Sequence, residues 1–186
     1  IAFWKTGITE VDEHNMPTGH TLSSQISCIN HLFPLRNDRK AVLAIAKTIC
    51  SDIVDVFEIT TDKFLPAYIA FETISENDYL NECIGQKPTR GTMCTSVDAL
   101  IFAQHQNGKK ILLPIEWKYT ESYDDTDKST EKGRGKTRLS RYTNLINNST
   151  QLKQKYKDYT SSIYFFEPFY QLMRQTLLTE QMIANK

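Results

Sequence analysis

Three residues near the middle of the chain have types and spacing suited to hydrolytic chemistry: Asp98, Glu116 and Lys118. Glu116 and Lys118 close the run KILLPIEWK, which reads as a strand from Lys110 to Lys118. Successive strand side chains point to opposite faces, so the acid and the amine share one surface while Ile115 and Trp117 point the other way. Burying that surface in an ordinary core would strand two charges, whereas a cleft lets the carboxylate hold a hard cation beside the ammonium group. A second carboxylate comes from Asp98 on the strand Thr95 to Ala103 (TSVDALIFA), because the turn-like QHQNGK with Asn107-Gly108 folds the two strands into a hairpin. Two carboxylates suffice for Mg2+, or Mn2+ in its place, since such an ion keeps several waters and takes further ligands from phosphate oxygens. The ion would polarise a phosphoryl group and acidify a bound water. Lys118 would orient that water or stabilise transition-state charge, an arrangement suited to phosphodiester hydrolysis.

The same residues admit a plainer reading, in which Glu116 and Lys118 form a solvated edge pair worth less than about 1 kcal/mol and Asp98 merely starts a strand or sits in a turn. Pro114 bears on the choice: proline cannot donate to a ladder and belongs at edges or bulges, and a bend there would aim the following acid.

Several elements must position these residues. Leu22, Ile26, Ile29 and Phe33 form one apolar helical stripe between His20 and Leu35, with Thr21 available as a cap. Val42, Ile45, Ile49, Ile53 and Val56 repeat that spacing between Asp38 and Phe57, predicting one amphipathic helix. Ala67 to Ile74 reads as a strand leading into a helical SENDYLNEC. Asp124 to Arg141, nearly free of apolar residues, reads as a mobile basic loop. Leu139 to Tyr159 reads as a helix carrying Lys153, Lys155 and Lys157 on its surface, Ser162 to Phe166 as a short strand, and Pro168 as the opening of a last helix that buries Met173, Leu177 and Leu178. The expectation is an α/β (α+β) fold, helices flanking a central mixed sheet of four to five strands.

At 186 residues a single domain spanning 1–186 is the natural organisation. With 40% hydrophobic and 24% charged residues the chain lies within the globular range, which excludes disordered, collagen-like and membrane classes. No apolar run reaches the ~20 residues of a membrane span, and the opening IAFWKTGITEVDEHN lacks the basic segment and apolar core of a signal peptide. Cys28, Cys50, Cys83 and Cys94 show no C-x-x-C spacing and read as reduced core thiols of a cytoplasmic protein; four scattered histidines predict no histidine-rich metal site. Basic and acidic residues balance at 22 each, so nucleic-acid binding would have to rest on local charge.

TSVDALIF followed by LLPIEWKYTE resembles the hairpin signature of a restriction-endonuclease-like family of bacterial proteins in the PD-(D/E)xK nuclease superfamily. SSQISCINHLFPL resembles its SSQ-containing first helix, and PFYQLMRQ its late helix carrying Gln and Arg, so the similarity runs from His20 to about Met182. The resemblance implies a restriction-endonuclease-like core, with metal bound by Asp98, Glu116 and the main-chain carbonyl of Trp117, and Lys118 serving the attacking water. Val97 stands where the signature has proline. A further acid from an element before the hairpin is implied, and Glu72 and Glu82 both qualify; Glu121 is a weaker candidate. Gln171 and Arg174, three apart on a helix, would meet a phosphate or support the acidic cluster, or else lie on a solvated face. Ser23, Ser24 and Gln25 would touch the active site or serve as cap and first turn.

Lys128, Lys132, Arg134, Lys136, Arg138 and Arg141 form the densest basic stretch, with Gly133 and Gly135 letting the backbone follow a phosphate chain. The bland alternative is a solvated loop, its charge partly offset by nearby acids. The reading reached is a Mg2+-dependent nuclease acting on DNA, RNA not being excluded, with a homodimer left open. The alternative is a noncatalytic module on the same fold that binds nucleic acid or a protein partner.

Overall fold

The computed structural model describes residues 23–61, 64–89 and 94–185. In chain order these form helix α1 (Ser24–Leu32), helix α2 (Arg39–Ile49), strands β1 (Ile53–Phe57), β2 (Ile59–Thr61), β3 (Phe64–Ala67), β4 (Ala70–Thr73), β5 (Val97–His105) and β6 (Lys110–Ile115), and helices α3 (Gly135–Asn148) and α4 (Phe169–Ala184), with 3-10 turns at Phe33–Leu35 and Ile163–Phe165. They fall into two compact units: the described residues of Ile1–Thr73 with Val97–Glu121, and Ile74–Ser96 with those of Ser122–Lys186.

In the first unit β5 is the middle of a four-stranded sheet. It pairs with β6 from Ala99↔Ile115 to Gln104↔Lys110, while β1 (Phe57↔Phe102) and β4 (Phe71↔Ala99, Thr73↔Val97) share its other edge. The α/β class and the central sheet are as expected; the described pairings are antiparallel rather than mixed. Gly108, with φ +83°, supplies the left-handed residue of the predicted hairpin turn. Alternation along β5 buries Ala99, Ile101 and Ala103 with Cys28, Ile29 and Leu32 of α1, Val42 and Ala46 of α2, and Ile53, Val56 and Phe71. The same alternation sets Asp98 on the opposite face.

Local chemistry explains where the expected elements shift. Ser23, not Thr21, caps α1: its Oγ accepts from Ile26 N at 3.2 Å, and Thr21 lies outside the described residues. The long helix expected from Asp38 to Phe57 is a helix and a strand. Asp38 caps α2 through the Lys40 and Ala41 amides, the helix stops at Ile49, and Ile53–Phe57 is β1. A β-bulge between Ile53 and Asp55 buries Ile53 and Val56 together, three residues apart, and so imitates helical spacing in a strand. Ala67 to Ile74 divides, Ala67 ending β3 and Ala70–Thr73 forming β4. SENDYLNEC is not helical, because the Asp78 carboxylate takes the Glu82 and Cys83 amides, both at 2.7 Å, into a local turn.

In the second unit the segment from Asp124 is irregular only as far as Arg134, and α3 begins at Gly135. This helix ends at Asn148, well short of Tyr159, and Lys155 donates to the Ile146 and Ser149 carbonyls at its exit instead of lying on a helix surface. The expected strand at Ser162–Phe166 is a 3-10 turn, since Tyr164 and Phe165 are both buried and alternation is broken. Tyr142, Ile146, Phe165, Met173, Leu177 and Leu178 are buried, as anticipated for α4. Gly135 packs so close to the backbone at Ser129 and Thr130 that a Cβ there would clash with the Ser129 carbonyl oxygen. Gly135→Ala is therefore expected to destabilise the protein by about 1–3 kcal/mol, as overpacking does, instead of adding the ~1 kcal/mol that alanine usually brings to a helix; urea unfolding measures the sign. Among the described residues no helix is long and apolar enough to cross a membrane.

Candidate active site

Asp98 enters the site from the start of β5, and its Oδ2 accepts the Trp117 amide at 2.8 Å. That bond reaches past the end of β6, which stops at Ile115. Strand alternation therefore does not by itself carry Glu116 and Lys118; backbone tethering to Asp98 does. Lys118 Nζ stands 2.5 Å from Glu116 Oε1, with the Glu116 side chain 6% exposed and that of Lys118 32% exposed.

Glu72 joins them from β4. Its φ of +48° is left-handed, an unusual state for a non-glycine strand residue and of the kind that collects at functional sites. Gln25 of α1 donates to Glu72 Oε1 at 2.8 Å, while its own buried Oε1 finds no partner among the described residues. Burial, and next the charge of Glu116, push the Asp98 carboxyl up to about 7; Glu72 adds to the rise, while the Trp117 amide and Lys118 oppose it. Three carboxylates thus share a field with one ammonium group. Burial, and next the charges of Asp98, Glu72 and Glu116, push the Cys28 thiol up to about 12, so it stays protonated and is not a nucleophile.

Helix α1 holds the segment after the hairpin from two further points. Trp117 Nε1 donates to Ser27 Oγ at 3.1 Å and the His31 ring lies against the indole at 5.4 Å. Ser24 Oγ donates to Glu121 Oε1, and Glu121 Oε2 accepts the Tyr119 and Thr120 amides at 2.8 and 3.1 Å. Burial alone would raise the Glu121 carboxyl; the hydrogen bonds, led by the Tyr119 amide, and the charge of Lys118 hold it below the usual range.

A family model described as Restriction Endonuclease associating with ARP, REase-ARP, matches residues 5–186. The chain belongs to that family. No curated protein and no solved structure matches it.

The other candidate residues of this REase-ARP protein lie in its second unit. Glu82, 3% exposed, accepts Arg174 Nε at 2.9 Å, the Tyr142 hydroxyl at 2.6 Å, and the Thr95 amide and hydroxyl. The alternatives Glu72 and Glu82 thus occupy different surroundings, Glu72 in the field of Asp98 and Glu82 against Arg174. Gln171, on α4, is half-buried. In the basic stretch Arg138 donates to the Lys128 carbonyl and pairs with Glu131 at 2.5 Å, while Lys132, Arg134 and Lys136 are exposed and Arg141 is half-buried over the Tyr142 ring.

The carboxylate oxygens of Asp98, Glu116 and Glu72, with their excess negative charge, are of the kind that suits a hard divalent cation. Among the described residues no group of three or more His, Cys, Asp or Glu is gathered closely enough to hold an ion. Nothing in residue spacing announced the Gln25–Glu72, Ser27–Trp117 and Ser24–Glu121 contacts, because each joins segments far apart in sequence.

Proposed function

We propose that this REase-ARP protein hydrolyses phosphodiester bonds of DNA with Mg2+ or Mn2+. The observation that carries the reading is the half-buried Asp98 carboxyl, driven upward by desolvation, Glu116 and Glu72, its Oδ2 held by the Trp117 amide, and set in the field of Lys118. Asp98, Glu116 and the Trp117 carbonyl would hold the ion, which when bound supplies Lewis-acid polarisation of the phosphate and an acidified water. Lys118 gives up its contact with Glu116 to orient the attacking water and to meet charge developing on the phosphate oxygens. In-line attack of water on phosphorus would form the new P–O bond and break the bond to the 3′-oxygen, the water losing a proton to solvent and the leaving oxygen taking one up, to give a 5′-phosphate and a 3′-hydroxyl. Glu72, steadied by Gln25, adds to the negative field. Lys132, Arg134, Lys136 and Arg141 would meet backbone phosphates of the substrate, with Arg138 committed to Glu131 and the Lys128 carbonyl.

The test incubates purified protein with plasmid, single-stranded DNA and RNA in Mg2+ or Mn2+, beside Asp98→Ala and Lys118→Ala. Cutting by the wild type alone supports the reading; equal cutting by all three defeats it. A second reading, a noncatalytic module that binds a partner, is favoured by the family's description as associating with ARP; retained DNA or partner binding without any cutting would select it. Within the catalytic reading, Glu121→Ala is expected to slow cleavage about tenfold by loosening the segment that carries Lys118, with KM nearly unchanged; steady-state kinetics on one short duplex separate the two effects.

A further inference from the structure

We infer, resting on the hydrolytic reading, that the side-chain carbonyl of Gln25 positions a water of the divalent cation by accepting one of its hydrogens. Gln25 Nε2 donates to Glu72 Oε1 at 2.8 Å, whereas Gln25 Oε1 is buried and meets no donor among the described residues. A buried acceptor left without a donor costs more than a made hydrogen bond contributes, so folded proteins seldom keep one except where a water or an ion belongs.

The unsatisfied oxygen is firmly held. Ser23 caps α1 and fixes its first turn, in which Gln25 lies. On either side of Gln25, Ser24 Oγ donates to Glu121 and Ser27 Oγ accepts Trp117 Nε1 at 3.1 Å, so one stretch of helix grips the segment that carries Glu116 and Lys118. Gln25 itself reaches Glu72, which the pairs Phe71↔Ala99 and Thr73↔Val97 bring opposite Asp98. Oε1 shares its amide carbon with Nε2 and therefore stands beside the same acids. Ionised carboxylates only accept hydrogen bonds, and the Lys118 ammonium group is turned to Glu116 at 2.5 Å. A cation-bound water supplies what is missing, because its oxygen faces the ion and its hydrogens point outward. Mg2+ and similar ions keep several such waters when few protein oxygens bind them. A neutral amide oxygen accepts the hydrogen without removing the proton, so Gln25 orients the water and is not its base.

The test follows free Mn2+ by its paramagnetic resonance while wild type, Gln25→Met and Gln25→Glu are titrated at pH 8, beside thermal melts of each protein in EDTA and in Mn2+. Gln25→Met keeps the length of the side chain and removes both polar groups; Gln25→Glu keeps an acceptor oxygen and gives up the donor to Glu72. Gln25→Met should bind Mn2+ about tenfold more weakly, and Gln25→Glu no more weakly than wild type. In EDTA the Gln25→Met midpoint should stay within about 2 °C of wild type, because the lost bond to Glu72 is offset by removal of an unsatisfied acceptor. Equal Mn2+ affinity of wild type and Gln25→Met overturns the inference and leaves the hydrolytic reading standing. So does a Gln25→Glu protein as weak as Gln25→Met, which would assign the effect to the bond with Glu72, or a midpoint loss that is the same in EDTA and in Mn2+, the mark of a purely structural support. A wild type that binds no Mn2+ defeats the reading and the inference together.

Discussion

Asp98→Asn is expected to stabilise the metal-free protein at pH 8 while lowering cleavage about 10²–10³-fold, the scale of losing one electrostatic catalytic group. The sign follows from the raised carboxyl. In the unfolded chain Asp98 loses its proton near 3.8, whereas in the folded protein burial and the charges of Glu116 and Glu72 delay that loss to about 7. Between those values the unfolded state ionises and the folded state does not, so this group erodes stability as pH rises from about 4 to 7 and leaves it reduced above. The displacement sets a ceiling of roughly 4 kcal/mol, and because the repulsion is spread over three carboxylates a gain of about 1–3 kcal/mol at pH 8 is the expectation for asparagine, whose side-chain oxygen can still accept the Trp117 amide. At pH 4 the gain should vanish. Thermal melts at both pH values, with and without Mg2+, make the check: added Mg2+ should raise the wild-type midpoint and leave the variant unmoved. An asparagine variant less stable than wild type at pH 8 would mean that the three carboxylates do not repel one another.

Arg174→Ala carries the largest cost in stability. Burial by itself would push the Glu82 carboxyl up, but the Arg174 guanidinium, with hydrogen bonds from Arg174, Tyr142 and Thr95, holds it below its ordinary value. Removing the arginine leaves a carboxylate 3% exposed with neutral donors only, and breaking such a pair costs about 3–5 kcal/mol, a large share of the 5–15 kcal/mol that holds a typical domain. The double variant Glu82→Gln/Arg174→Met should recover most of the loss, because no buried charge then remains. Since the Glu82 carboxyl is held low in the folded state, its contribution is present above about pH 4.5 and lost as pH falls below. Urea unfolding of the three proteins at pH 7 decides the matter; a single variant that loses under 1 kcal/mol would show the pair to be solvated.

The two expectations separate two kinds of acid that look alike in sequence, one half-buried and one buried. Glu72 and Glu82 both precede the hairpin at plausible distances, and neither has a local partner that residue types reveal. Gln25 and Arg174 lie 47 and 92 residues away from them, so only folding decides which acid joins Asp98 and which becomes one half of an ion pair.

The amino-acid sequence on its own determined what depends on near neighbours: the hairpin and its Asn107-Gly108 turn, the late helix after Pro168, the acid–amine pair at Glu116 and Lys118, and membership of a restriction-endonuclease family along nearly the whole chain. These rest on side-chain periodicity, turn chemistry and ordered motifs, which act over a few residues. Tertiary structure decided the break of the second helix at Ile49, where a bulged strand mimicked a helical stripe, and the start of α3 inside an apparently loop-like segment. It also decided that Trp117, tethered to Asp98 and Ser27, carries Glu116 and Lys118 beyond the end of their strand. Such outcomes depend on which distant groups complete a hydrogen bond or fill a core, and one-dimensional order does not record that.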